Sequence, residues 1–146
     1  MRKKIFAGAV ALALIAGTSG CAVNRAEATL MADADLSKVK TLYIVHSDES
    51  KHDVDMSLKA AFEKRGYVVT TGPAHALPYS EDAVVTYIDK WMWDITMYMI
   101  ELTVTVRSPA NDYPLATAHS MHTSLTRKSQ AEMADEVAAN IIAAKH

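Results

Sequence analysis

Met97-Tyr98-Met99-Ile100-Glu101-Leu102-Thr103-Val104-Thr105-Val106-Arg107 is the stretch that decides the fold. It alternates. Tyr98, Ile100, Leu102, Val104 and Val106 share one side of an extended chain, and Met97, Met99, Glu101, Thr103, Thr105 and Arg107 share the other. A period of two with β-branched residues predicts a strand in a sheet with one buried and one wetter face. Residues 82–94 form a second long run of the same kind, so the two predict a hairpin. Downstream, PANDYP at 109–114 is a turn and residues 115–126 are a further strand. Upstream, VKTLYIVH at 39–46 is β-branched and aromatic and predicts a strand. Residues 67–71 predict another, followed by a loop over 71–80 that holds Gly72, Pro73 and Pro78.

Two segments switch to helical spacing. Over 53–65, Val54, Leu58, Ala61 and Phe62 fall on one face, and Gly66 stands where a glycine stops a helix. Ser129-Gln130-Ala131-Glu132 is a capping box, after which Met133, Val137 and Ile141 repeat at four-residue intervals beside Ala134 and Ala138. The order β-α-β-β-β-β-α gives an α+β two-layer sandwich: a mostly antiparallel sheet of four to five strands with two helices on one face. The first β-α-β unit is suited to a local parallel pair.

The chain begins with Arg2, Lys3 and Lys4, runs through IFAGAVALALIAG, and reaches Thr18-Ser19-Gly20-Cys21. A basic start, a short apolar stretch and small residues at a cleavage site define a secretory signal. Residues 5–24 are uncharged and long enough to span a bilayer, but their last third is Gly, Thr, Ser and Asn rather than large apolar residues. The cysteine after the small residues resembles the bacterial lipobox, departing from it at Thr18, where leucine is usual. The resemblance implies a lipoprotein: residues 1–20 are removed and the Cys21 thiol carries diacylglycerol. It also implies, through Ala22 in place of a retention aspartate, an outer-membrane anchor facing the periplasm. Cys21 is the only cysteine, so the exported domain has no disulfide and relies on packing. The expected division is a signal at 1–20, a lipidated flexible tether at 21–38, and one periplasmic α+β domain at 39–146.

The element order, with the helix-Gly66-Tyr67-Val68-Val69 step, resembles small envelope-assembly lipoproteins such as the lipopolysaccharide-assembly lipoprotein and subunits of polysaccharide and curli exporters. That resemblance implies a non-enzymatic role as an accessory or structural subunit with a protein partner or further copies of itself.

Charge narrows the classes. The formal net charge is −2, and the leader contributes three positive charges and no negative one, so the remaining 126 residues carry −5. A mildly acidic domain without a Lys/Arg run gives no reason to expect a nucleic-acid partner. No Ser-His-Asp order, glycine-rich phosphate loop, HExxH or CxxC occurs in the sequence, so an enzyme is not expected. No cofactor is expected beyond the covalent lipid on Cys21.

Three groups of residues are candidates for function. Trp91 and Trp93, with Met97 and Met99 on the neighbouring strand, are aromatic and thioether groups suited to a protein partner. Val85, Tyr87, Asp89, Trp91 and Trp93 share a face by alternation, which fits a core equally well. His119, Met121 and His122, with Met97 and Met99, offer imidazole and thioether ligands for Cu(I). His119 and Met121 share a face, and His122 points the other way. Last, His46, Asp48, His52, Asp53 and Asp55 gather around a strand-helix turn. They suit a divalent ion or acid-base chemistry, or simply a helix start capped by Ser50 or Asp53.

Overall fold

The computed structural model describes residues 24–144. The expected signal at 1–20 and Cys21 lie outside them. The elements are β1 (Asn24–Leu30), β2 (Thr41–Val45), α1 (Val54–Glu63), β3 (Val68–Gly72), β4 (Ala83–Asp94), β5 (Thr96–Arg107), β6 (Pro114–His122), a 3-10 turn (Ser124–Thr126) and α2 (Gln130–Ala144). The strands form one six-stranded sheet in the order β1-β6-β5-β4-β2-β3. β2 pairs in parallel with both β3 and β4, and all other pairs are antiparallel. The fold is therefore the expected α+β architecture, with the β2-α1-β3 unit parallel as its spacing suggests.

Both helices bury one stripe against one face of the sheet. Val54, Leu58, Ala61 and Phe62 of α1 and Met133, Val137 and Ile141 of α2 meet Leu42, Ile44, Val85, Leu102 and Val104 in a single core. Each large side chain so buried contributes about 1.5–3 kcal/mol of hydrophobic stabilisation. The predicted capping box forms in full. The Ser129 hydroxyl accepts from the Glu132 N–H (3.2 Å), and the Glu132 carboxylate accepts from the Ser129 N–H (2.7 Å). At the other helix, Gly66 takes φ 91° after Glu63, a left-handed conformation that glycine adopts at no steric cost. Asp53 is the N-cap residue of α1, but neither it nor Ser50 caps the helix through its side chain. The Ser50 hydroxyl is turned instead to the Asp89 carboxylate (2.9 Å) and the His52 carbonyl (3.0 Å).

Three expectations are corrected. Residues 24–30, read as tether, form the edge strand β1, which pairs with β6 along its whole length, and Leu36 is buried in the core. Ala26, Ala28 and Leu30 alternate with Arg25, Glu27 and Thr29, but alanine is a weak strand former and hides the pattern. Ala28 and Leu30 pack against the same core cluster as Ala116 and Ala118 of β6 and Ala134 and Ala138 of α2. β1 also raises the sheet from the expected four or five strands to six. Second, the last strand stops at His122, and Ser124–Thr126 is a 3-10 turn. Third, the alternation of β5 breaks. The register shifts between Lys90 and Trp91, so that Glu101 pairs with Lys90 but Met99 pairs with Trp91, leaving Ile100 as the extra residue of a bulge. Met99 is thereby moved from the predicted wetter face into the core, where it is 1% exposed.

Among the described residues, the opposite face of the sheet carries no helix. Its middle is a ladder of threonines, with Thr29, Thr117, Thr105 and Thr86 opposite one another on β1, β6, β5 and β4. Near β2 the loop 73–80 folds over it. Tyr43 packs against His75 and Tyr79, each with ring centroids at 5.1 Å, and donates its hydroxyl to the Pro73 carbonyl (2.9 Å). A Cβ at Gly72 would collide with that hydroxyl, which is why glycine ends β3.

Candidate functional site: the free end of the β4–β5 hairpin

β4 and β5 are twelve residues each, longer than every other strand. Their last rung shared with β6 is Glu101 opposite Met121, so residues 91–100 run on past the rest of the sheet. Tyr98 and Met99 stay buried, but towards the apex the apolar side chains lose their cover. Met92 is 47% exposed, Trp93 70%, Ile95 87% and Met97 53%. Ile95 turns the hairpin at φ 62°. A β-branched residue in the left-handed region is strained, and glycine or asparagine is the usual choice at such a reversal. An exposed, strained isoleucine at an apex is an outlier that points to function rather than folding.

The end of the hairpin is braced on one side. The 3-10 turn after β6 lies against it, with Ser124 donating to the Asp94 carboxylate and Arg127 donating to the Thr96 hydroxyl (2.9 Å). The Arg127 guanidinium also sits 4.5 Å above the centre of the Tyr98 ring and 3.7 Å from Asp94. Leu125 in that turn is 79% exposed beside the hairpin. The charges near it are paired: Asp94 with Arg127, Lys90 with Glu101 (2.7 Å), and Lys128 with Glu136 (2.8 Å).

Of the four residues singled out for a partner, the structure thus keeps two on the surface. Trp93 and Met97 pair across the end of the hairpin. Trp91 is half-buried, stacked on His52 at 3.7 Å between ring centres, and donates its indole N–H to Asp89 (2.6 Å). That bond explains how a carboxylate shares a face with Tyr87 and Trp91. Met99 belongs to the core. Ile95 and Leu125 were missed: a lone apolar residue in a turn and another in a predicted strand give no periodic signal.

The histidine and methionine residues offered for a metal are not assembled. His119 is on the helix-free face and bonds Thr103 (3.0 Å). His122 is fully buried on the helix face, where its Nε2 donates to Glu136 (2.7 Å). Its Nδ1 is buried with no hydrogen-bond partner among the described residues. Met121 shares the face of His119, but Met99 has been turned away from it by the bulge. Around Glu136 the groups form a packed polar knot: Ser120 donates to the same oxygen as His122 (2.6 Å), and Lys128 to the other. Burial pushes the Glu136 carboxyl up, but these bonds outweigh it and hold the carboxyl below its ordinary range.

At the strand-helix turn, His46 Nδ1 meets Asp55 at 3.2 Å, and Asp55 is buried at the start of α1. His52 is taken up by Trp91. Among the described residues no three His, Cys, Asp or Glu side chains are grouped to hold a metal ion. Also among them, no helix is long and apolar enough to cross a membrane.

No family model matches the chain, and no curated protein is matched by its sequence. Its fold is shared with solved structures. The PelC dodecamer from Paraburkholderia phytofirmans, in two crystal forms, superposes with a TM-score of 0.59 at 12% identity, and the alignment covers 84% of this chain and 97–98% of that one. A PDZ domain protein from Parabacteroides distasonis superposes with a TM-score of 0.51 at 10% identity, covering 82% of this chain and 34% of the other. At such identities the likeness is one of fold.

Proposed function

We propose that this chain is a lipid-anchored envelope lipoprotein, held at the outer membrane through Cys21 and facing the periplasm, where it serves as a non-enzymatic accessory or structural subunit. The observation that carries the reading is the fold: over 84% of this chain it matches nearly the whole length of a chain that forms a dodecamer. The leader ending in Cys21-Ala22 supports the location. The sheet has the means to associate. It is open, β1 and β3 are its two edges, and Val68 on β3 is 66% exposed. An open strand edge with unpaired backbone groups is a template for another chain.

Native mass of the acylated protein, extracted from its own membranes in mild detergent, tests this. Several copies, or one copy with a stoichiometric companion, are expected. A Val68→Lys change, which puts a charge on the β3 edge, is expected to reduce the assembled fraction. A single chain without companion, unchanged by the substitution, would contradict the subunit reading.

A further inference from the structure

We infer that the free end of the β4–β5 hairpin is a second membrane contact, seated in the headgroup layer of the same phospholipid bilayer that holds the acylated Cys21. This rests on the lipoprotein reading above. The argument is one of position. Asn24, the first residue of β1, pairs with His122 at the last rung of β6. That is the end of the sheet from which the hairpin projects. Only two residues separate Cys21 from Asn24, so an extended chain holds the acyl group within about 10 Å of the sheet. Ile95 lies five residues beyond Ile100, which stands beside the same rung. At about 3.3 Å per residue that is roughly 15 Å past Asn24. A domain tied this closely to the bilayer brings the hairpin end into the headgroups.

The chemistry of that end agrees. Five of the ten exposed large apolar residues among the described ones, Met92, Trp93, Ile95, Met97 and Leu125, are gathered there, and the two most exposed of the ten, Ile95 and Leu125, are among them. Tryptophan is favoured at the membrane-water boundary, where its ring is half apolar and its N–H stays wet. The nearby acids are paired with Lys90, Arg127 and Lys128, so entering a less polar layer strands no lone carboxylate. A strained isoleucine at the apex is explained by a task outside the fold. A lipid anchor combined with an apolar surface also binds more firmly than either alone.

The test uses the mature protein from its own membranes, reconstituted into phosphatidylethanolamine/phosphatidylglycerol vesicles. Trp91→Phe leaves Trp93 as the sole tryptophan. Brominated lipid is expected to quench Trp93 emission strongly, while acrylamide, a water-soluble quencher, is expected to reach it much less well than in a detergent-free solution of the non-acylated chain begun at Ala22. Trp93 that stays open to acrylamide and untouched by brominated lipid on acylated, vesicle-bound protein would overturn the inference. Protection from both quenchers would overturn it too, by assigning the hairpin to a protein contact. The mass of the same sample reports acylation separately. If Cys21 proves unmodified, the anchor reading fails alone, and the hairpin contact stands or falls on whether the unmodified chain binds vesicles with Trp93 quenched.

Discussion

The two halves of the β4–β5 hairpin are built from the same kinds of residue and have opposite fates. In the half nearest Arg107, Val85, Tyr87, Leu102 and Val104 lie under two helices and are nearly inaccessible. In the half around Ile95, Trp93 and Met97 alternate on the same two strands and face solvent. The difference is cover. The first half is flanked by β2 and β6 and roofed by α1 and α2, whereas among the described residues the second has no strand or α-helix over it, with the Ser124–Thr126 turn and Arg127 beside it and His52 at its base. The boundary lies just past the bulge at Ile100, with Met99 as the last β5 residue of the core cluster and Tyr98 buried beneath Arg127. Alternation therefore encodes which face of a sheet a side chain takes, and the neighbours decide whether that face is an interior.

Substitutions on either side of the boundary separate the halves most strongly. Met99→Ala and Leu102→Ala are each expected to cost about 2–5 kcal/mol, while Met97→Ala, two residues away, stays within about 0.5 kcal/mol. Urea unfolding measures both, and equal losses at Met97 and Met99 would erase the distinction. Next in size is the polar knot under α2. Glu136→Ala leaves His122 and Ser120 buried without their acceptor and is expected to cost about 1–3 kcal/mol. Because the Glu136 carboxyl is held below its ordinary value, its contribution is complete above the unfolded value and is lost as pH falls through the folded one. Unfolding of Glu136→Ala is thus expected to be less acid-sensitive than that of the native chain below pH ~4.5.

Ile95→Gly sharpens the comparison from the other side. Relief of the left-handed strain is expected to raise stability by up to about 1 kcal/mol, while contact with vesicles weakens. A loss of stability there would mean that the apex isoleucine serves the fold after all. The smallest effect is expected at Asp135, whose carboxyl is pushed down to about 2, first by the hydrogen bond from Arg65. Its stabilisation is present above pH ~3.8 and disappears as pH falls towards 2. The carboxylate is 40% exposed, so screening limits the effect of Asp135→Asn to about 0.5–1 kcal/mol, visible as a flatter acid limb in thermal unfolding.

The covered half was legible in the sequence, and so were both helices, because large apolar residues at a regular period have one reading. Leu58 with Phe62, and Met133 with Val137 and Ile141, land where their spacing puts them. β1 was hidden because two of the three residues on its inward side, Ala26 and Ala28, are alanines, and small side chains carry little pattern. Met99 was misassigned because a single extra residue at Ile100 inverts every face beyond it, and bulges have no sequence mark here. Trp93 and Met97 were found as residue types suited to contact, but their exposure depends on where the helix layer ends, a tertiary fact. Ser50 does not cap α1 because the N-cap position falls three residues later, at Asp53, whose own side chain makes no capping bond.

Under the proposed lipoprotein reading, an anchor at Cys21 connects these halves to a location, since it fixes which end of the sheet meets a membrane. The intact mass of the protein purified from the cell envelope is the direct measurement. A chain beginning at Cys21, heavier than its sequence by a diacylglycerol and an amide-linked fatty acid, is the predicted result. A chain that retains residues 1–20, or that begins at another residue with no added lipid, would contradict the account.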